Sequence, residues 1–389
     1  MSRASTRSSA AAGVAAASAS DGLQRTIAEL RGLAIRGLPR MYIPREREFF
    51  FCLRRGPNGI GEEGRSRRYA AITLIGLAGE TPETQAQTLC GQNVREPMER
   101  LLSDVAQVRN LGDVALTAWA AAALGHPQRE AAWKRMLDLD PVDASHPTVE
   151  LSWVLSAASI DPKSDRSGLG RKVATRLLGA FSERARVFPH VIGGGVSRAH
   201  IACFADMVYP IQALSLYSKL TGDKAALAAA EHCAARICEA QGPDGQWWWH
   251  YDFRNGEVVE GYPVYAVHQD AMAPMALFAL MEAGGTDHSA AIRKGLEWLW
   301  HSPEIDGSLI DLGADLIWRK VARREPGKFS RYAQAAASRL HPAFRVPGLG
   351  ALLPPGSIDY EDRPYHLGWV LLAFPPARAA KWDAGGSGA

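Results

Sequence analysis

Several features that would assign a protein to a class at once are absent from this sequence or rare in it. No stretch approaches the roughly 18 uninterrupted apolar residues that span a membrane, although peripheral contact with a membrane stays open. The formal net charge is only +3, which gives no reason to expect nucleic acid as a partner. The five cysteines include no CxxC pair, so we expect free thiols in a reducing, cytoplasmic compartment. Strand-like alternation is also scarce, and its best candidate is an irregular stretch from Glu257 to Val267.

Apolar residues at helical spacing, separated by short turns, fill most of the chain. The clearest helical hairpin runs from Phe204 to Gln241, with a turn at residues 221–223. Thr81 followed by proline predicts the start of another helix. Short connections favour antiparallel neighbours, and a single layer of hairpins cannot bury its own apolar faces. We therefore predict an all-α protein, an α/α toroid of about six antiparallel helix hairpins around a central cavity.

The chain has 389 residues, and no Pro/Ser-rich linker divides it. We expect one toroid domain over residues 21–380. Residues 1–20 are rich in alanine and serine, and we interpret them as a disordered tail. Residues 381–389 end in GGSGA, a composition typical of a flexible C-terminal tail.

Two segments share a pattern at the end of a helix: HCAARICEAQGPDGQW from His232 and KGLEWLWHSPEIDGSL from Lys294. The first keeps Gln241, Gly245 and Trp247 of a basic-Gly, Gln and Gly-x-Trp pattern, and the second keeps its basic-Gly start. Both resemble the QW repeat of the squalene cyclase and protein prenyltransferase superfamily. In that motif a glutamine bonds the start of a neighbouring helix, and a tryptophan stacks over it. The resemblance implies a toroid that handles terpenoid or prenyl substrates.

The same resemblance offers residues for chemistry, with departures. Cyclases of the superfamily open an inner helix with an Asp-x-Asp-Asp motif, of which only Asp270 matches, because Gln269 stands in place of the proton-donating acid. Prenyltransferases hold zinc through Asp, Cys and a late His preceded by Asp and Tyr, and Asp362–His366 resembles that late element with one residue inserted. His268, Asp270 and His366 could then form a zinc site with an open position. They fit an acid/base cluster equally well.

Ionisable and aromatic side chains are densest between Gln241 and Met275, where a polar trio at a helix start is poorly explained by packing. Aromatic walls stack on sugar faces and also stabilise cations. The expected catalytic residues are His268, Asp270, Tyr265 and Asp206. The expected substrate-binding residues are Trp248, Trp249, His250, Tyr209, Arg198, Tyr365 and Asp362. Glu150 and the Arg68–Tyr69 pair fit an ordinary helix start as well as a substrate site, and we assign them no role.

Three hypotheses follow for the function. The first, which we place ahead, is a terpenoid or prenyl-substrate enzyme that uses His268 or Asp270 as acid/base and aromatic rings to guide a carbocation. The second is a carbohydrate-active α/α-barrel enzyme, a lyase, hydrolase or epimerase, that acts on an oligosaccharide through His, Tyr and Asp groups. The third is a binding toroid without catalysis, which the ionisable residues at one helix start disfavour. A cavity walled by apolar groups with one acid would support the first hypothesis, and a cleft crowded with Asp, Arg, His and Tyr the second.

Overall fold

The computed structural model describes residues 24–165, 167–194, 199–342 and 344–384. Its helices are α1 (24–41), α2 (Arg67–Leu77), α3 (Pro82–Thr88), α4 (Arg95–Leu102), α5 (Leu111–Ala123), α6 (Glu130–Asp138), α7 (Thr148–Ile160), α8 (Leu169–Ala180), α9 (Ala205–Thr221), α10 (Lys224–Glu239), α11 (Ala273–Glu282), α12 (Ser289–Trp300), α13 (Phe329–Leu340), α14 (Leu349–Leu352), α15 (Pro364–Ala373) and α16 (Pro376–Ala384). A 3₁₀ turn covers Val105–Gln107, and a π-helical turn covers His268–Met272. Residues 1–20 and 385–389 of the predicted tails lie outside the described residues.

The strands are short. They are β1 (Tyr42–Ile43), β2 (Glu48–Gly56), β3 (Gly59–Arg65), β4 (His146–Pro147), β5 (Val191–Ile192), β6 (Ile201–Cys203), β7 (His250–Asp252), β8 (Val258–Glu260), β9 (Val264–Tyr265), β10 (Ile310–Asp311), β11 (Leu316–Ile317), β12 (Lys320–Arg323), β13 (Pro355–Asp359) and β14 (Glu361–Asp362). The pairs are antiparallel: β1, β3 and β14 with β2, β4 with β5, β6 and β8 with β7, β9 and β13 with β12, and β10 with β11.

Six helices form a closed inner ring, as the α/α-toroid prediction requires. In chain order α2, α5, α7, α9, α11 and α15 each pack on the next, and α15 packs back on α2. These helices are apolar around most of their circumference because they are enclosed on both sides. In α7, for example, every residue from Leu151 to Ala158 is buried. The predicted fold is therefore confirmed.

The helices between the inner ones form an outer layer, with polar residues toward solvent. Contacts link α6 to α5, α8 to α7, α10 to α9 and α12 to α11, so the chain alternates between the two layers. The predicted hairpin from Phe204 to Gln241 is α9 and α10, joined at Gly222 with φ of 76°. Thr81 caps α3 by accepting the N–H of Thr84, with proline at the first helical position, as predicted.

The ring closes where α2 meets α15, and the two backbones touch there. A Cβ atom on Gly76 would lie 2.1 Å from the carbonyl oxygen of Gly368, and one on Gly368 would lie 2.6 Å from the Cα of Thr73. Both glycines sit inside helices, where glycine is normally unfavourable. Their presence is explained by this close approach, since no side chain fits between the two helices.

Strands gather at the N-terminal end of the inner ring. β3 leads into α2, β4 into α7, β6 into α9, β9 into the π-helical turn and α11, and β14 into α15. The pairing of β14 with β2 joins the entrances of the last and first inner helices. We predicted one strand candidate, Glu257–Val267, and it contains β8 and β9. The β2–β3 hairpin was missed, although Asn58-Gly59 at its tip is a strong hairpin signal.

Candidate functional site

The first turns of the inner helices meet at one rim of the ring. Residues at these starts contact each other from helix to helix: Arg68 Nε lies 2.7 Å from Asp113 Oδ1, and the Asn110 amide donates to Glu150 at 2.8 Å. Because each inner helix is followed by an outer helix that returns, all six run in the same direction. The starts of all six inner helices therefore lie at this rim, and each contributes a polar or aromatic side chain there. We take this rim as the candidate active site.

A buried histidine lies between two aspartates at the rim. The Nε2 atom of His366 lies 2.8 and 2.9 Å from the two carboxylate oxygens of Asp270, and its Nδ1 is 4.0 Å from Asp362. None of the three is more than 3% exposed. The carboxylate of Asp362 also accepts the backbone N–H groups of Ile317 and Arg363, which hold it in place.

Burial and charge act against each other in this cluster. Burial would lower the pKa of His366, but the charge and hydrogen bond of Asp270, together with Asp362, outweigh it and raise that pKa above the usual value. Burial raises the pKa of Asp270 although His366 opposes the shift. Burial also raises the pKa of Asp362, to about 6. Groups with shifts of this kind, packed together at a rim, can exchange protons near neutral pH.

The π-helical turn determines which way the residues before α11 point. In it the N–H of Ala273 bonds the carbonyl of His268, one residue further back than in an α-helix. Pro274 follows at the start of α11 and has no N–H to donate, so an α-helical turn would lack a bond here. Asp270 faces His366 of the neighbouring inner helix α15, whereas Gln269 accepts the N–H of Trp247 and donates to the Tyr265 carbonyl. Gln269 is thus structural.

His268 lies in an aromatic box and not beside Asp270 and His366. Its ring stacks on Trp249 at 5.4 Å with 9° between the planes, and it also contacts Phe204 and Tyr265. Burial lowers the pKa of His268 to about 3, so the ring stays neutral, and its Nδ1 has no hydrogen-bond partner. The ligand atoms of the three predicted zinc residues do not all come within 4.8 Å of one another, so the structure does not assemble that set.

Aromatic rings and the Arg363 guanidinium group pack together beside this cluster. Tyr69 lies 4.5 Å from Tyr365 and 5.2 Å from Phe51, measured between ring centroids. Arg363 bonds the Tyr69 hydroxyl, covers the Phe51 ring at 4.5 Å and is paired with Glu361. Sequence reasoning considered Arg68 and Tyr69 without assigning them a role, and it missed Arg363. The signal available for the first two was their position at a helix start after a turn.

A second aromatic group lies deeper in the ring. Arg68 covers Trp153 at 5.2 Å, Trp153 meets Tyr209 edge-on at 5.1 Å, and the Trp369 indole donates to the Tyr209 hydroxyl at 3.0 Å. Tyr209 was predicted to bind substrate, and it lies in this group.

Asp206 makes its hydrogen bonds with residues outside the Asp270 cluster. Its Oδ2 atom is 3.0 Å from His190 Nδ1 and accepts the N–H of Cys203 at 2.7 Å. Its Oδ1 atom is buried and has no hydrogen-bond partner. Burial, followed by the Asp206 carboxylate, raises the pKa of the Cys203 thiol well above its usual value. The structure thus places Asp206 with a histidine and a cysteine that sequence analysis did not connect to it.

The other predicted site residues are distributed around the rim. Tyr365 and Asp362 lie in the groups already described. Trp249 and Tyr265 pack on the His268 ring, Trp248 meets Tyr262 edge-on at 5.9 Å, and His250 pairs with Cys203 across β6 and β7. Arg198 lies outside the described residues.

No helix in the described part of the chain is both long and apolar enough to cross a membrane. No protein-family model matches the sequence, and no curated protein matches it either.

Solved structures do match over nearly the whole chain. An unsaturated glucuronyl hydrolase specific for heparin is 13% identical with a TM-score of 0.62, covering 95% of this chain and 100% of that one. Cellobiose 2-epimerase from Bacillus thermoamylovorans is 10% identical with a TM-score of 0.58, covering 90% and 99%. The unsaturated glucuronyl hydrolase from a Bacillus species that degrades glycosaminoglycan is 14% identical with a TM-score of 0.54, covering 90% and 96%. At these identities the likeness shows the fold.

These comparisons correct two expectations. The matching toroids are carbohydrate-active enzymes, so the inferred membership of the squalene cyclase and prenyltransferase superfamily is wrong, and so is the terpenoid reaction derived from it. The local contact behind the motif does exist: Gln241 donates to the carbonyl of Ala291 in α12 at 2.9 Å, and Trp247 is fully buried. Such a contact ties helices together in a toroid and carries no information about the reaction.

Proposed function

We propose that this protein is a carbohydrate-active enzyme that uses acid–base catalysis at the N-terminal rim of its inner ring. The observation that carries the proposal is the number of polar groups at that rim, contributed by every inner helix. A cavity that guides a carbocation needs apolar and aromatic walls and few nucleophiles. A sugar, by contrast, offers hydroxyl groups to many polar side chains and an apolar ring face to aromatic ones.

The side chains at the rim divide into those that suit binding and those that suit proton transfer. Tyr69 and Tyr365 form an aromatic pair at the rim, and Arg68 is placed to donate hydrogen bonds to hydroxyl or carboxylate oxygens. Asp270 and His366 share a short hydrogen bond, and the carboxylate favours the protonated imidazole. We assign proton transfer to this pair, with Asp362 as the residue that positions His366 from its other side.

The matching structures support the same class of substrate. They include enzymes that hydrolyse or epimerise sugars, and this chain shares their fold over 90% or more of its length. Hydrolysis, elimination and epimerisation all need a group that gives a proton and one that takes it. The three reactions give different products, so the product identifies the reaction.

The test is a turnover screen of the purified protein against neutral and uronate-containing oligosaccharides, with products identified by NMR. A released sugar identifies a hydrolase, a new double bond a lyase, and an inverted carbon an epimerase. Linear prenyl diphosphates and squalene serve as the contrasting substrates. We expect turnover of a sugar and none of the isoprenoids; turnover confined to the isoprenoids would contradict the proposal.

A further inference from the structure

We propose that His190, Cys203 and Asp206 form a binding site for a zinc-like transition-metal ion at the rim of the ring. The three residues come from separate elements: His190 directly precedes β5, Cys203 ends β6, and Asp206 lies in the first turn of α9. None of the three residues shares a hydrogen bond with Asp270 or His366, and the metal site does not depend on the proposed function.

The arrangement has the dimensions of a metal site. One ligand atom from each residue, the imidazole nitrogen, the sulfur and a carboxylate oxygen, lies within 4.8 Å of the other two. Zinc bound at about 2.0–2.3 Å in a tetrahedral site sets its ligand atoms roughly 3.3–3.8 Å apart. Small side-chain rotations from the observed positions are therefore enough to bring the three atoms around one ion.

The carboxylate gives a second, independent observation. Asp206 is fully buried, and only one of its oxygens is satisfied, by His190 and by the N–H of Cys203. The other oxygen, Oδ1, is buried with no hydrogen-bond partner. A buried carboxylate oxygen without a hydrogen-bond partner is costly in a protein interior, and here it lies beside the partly buried Cys203 thiol. A cation between them removes that cost.

The ligand types indicate which ion. A thiolate and an imidazole favour zinc, cobalt or copper(I) over magnesium or calcium, which prefer oxygen alone. When the ion binds, the S–H bond of Cys203 breaks, its proton leaves to solvent, and a metal–sulfur bond forms. Three protein ligands leave a fourth position for a water or a ligand oxygen. The hydrogen bond from the Cys203 N–H to Asp206 holds the carboxylate in place beside the thiol.

The remaining cysteines in the described residues lack such surroundings. Cys233 is buried with its sulfur 3.8 Å from the sulfur of Met207, and Cys90 is exposed with its sulfur near the Pro39 carbonyl. Neither belongs to a group of three ligand side chains. Cys90 is therefore a suitable control for metal that binds to any free thiol.

The experiment titrates zinc into the full chain after chelator treatment, in competition with a chromogenic chelator, and repeats the titration with cobalt. We expect one ion per chain and a thiolate-to-cobalt charge-transfer absorption. Cys203→Ser should remove that absorption and weaken zinc binding at least tenfold, whereas Cys90→Ser should change neither. His190→Ala tests the same site through a half-exposed residue whose replacement leaves the core intact, and it should also weaken binding at least tenfold.

Two results would overturn the proposal. One is the absence of a stoichiometric zinc site in the parent protein. The other is equal affinity in the parent, Cys203→Ser and His190→Ala, which would place the ion elsewhere. Because the readout is metal binding, either failure is distinct from a failure of the carbohydrate hypothesis, which is measured as turnover.

Discussion

Replacing Gly368 with alanine should strain the seam where the inner ring closes. The added Cβ would lie 2.6 Å from the Cα of Thr73 and 3.0 Å from the carbonyl oxygen of Ile72. The first distance is about 1 Å short of the roughly 3.5 Å at which carbon atoms pack. Because both neighbours are backbone atoms of α2, the helices must move apart. Overpacking costs about 1–3 kcal/mol, and the better helix propensity of alanine offsets up to about 1 kcal/mol. We expect a net loss of about 1–2 kcal/mol.

The assay is thermal unfolding followed by circular dichroism and by tryptophan fluorescence. For a domain of this size, a loss of about 1–2 kcal/mol should lower Tm by about 1–3 °C. The matched control is Gly179→Ala in α8, where a Cβ would meet nothing within 4 Å and which should stabilise by up to about 1 kcal/mol. If Gly368→Ala proves as stable as the control, α2 and α15 are not in direct backbone contact, and the description of the seam is wrong.

Two further predictions concern pH and a helix tie. The free energy of unfolding of Asp362→Asn should rise by about 2 kcal/mol relative to that of the parent between pH 4 and pH 7, measured by urea unfolding at each pH. The Asp362 carboxyl group of the folded parent stays protonated up to a pKa of about 6, so the free energy of unfolding of the parent falls as pH rises through that window. The variant has no carboxyl group at this position and lacks this loss. A difference between the two proteins that does not depend on pH would show that the carboxyl group is not buried as described. Gln241→Ala should lower the free energy of unfolding by about 1–2 kcal/mol, because its amide donates to the Ala291 carbonyl, whereas exposed Gln87→Ala should cost almost nothing. Equal stability of these two variants would show that the tie contributes nothing.

The toroid could be predicted because its signal is local and repeated. Apolar residues at helical spacing mark each hairpin, and the length of the chain suits one ring. The strands at the rim could not be predicted in this way, since most of them have only two to five residues. Strands so short exist because of pairing with distant segments, as when β14 at Glu361–Asp362 joins β2. Pattern alone does not reveal such pairing.

The site could be predicted only in part from the sequence. Asp270 and His366 could each be named, but they are 96 residues apart, and it is the packing of the π-helical turn against α15 that joins them. His268 was grouped with them because it is two residues from Asp270 in sequence. The π-helical turn sends the two side chains to different surroundings, and no residue pattern we used reports such a turn. The QW-like contacts are properties of stacked helices, which explains why the family was wrong although the fold was right.

The central claim is that sugar chemistry takes place at this rim through Asp270 and His366. Its most direct test is the turnover of the best oligosaccharide substrate by Asp270→Asn, which keeps an oxygen to accept the His366 hydrogen bond, compared with Asp306→Asn at an exposed position. We predict a loss of at least about a hundredfold in kcat for Asp270→Asn with the fold intact, and parental turnover for the control. Parental turnover by a folded Asp270→Asn would contradict the account.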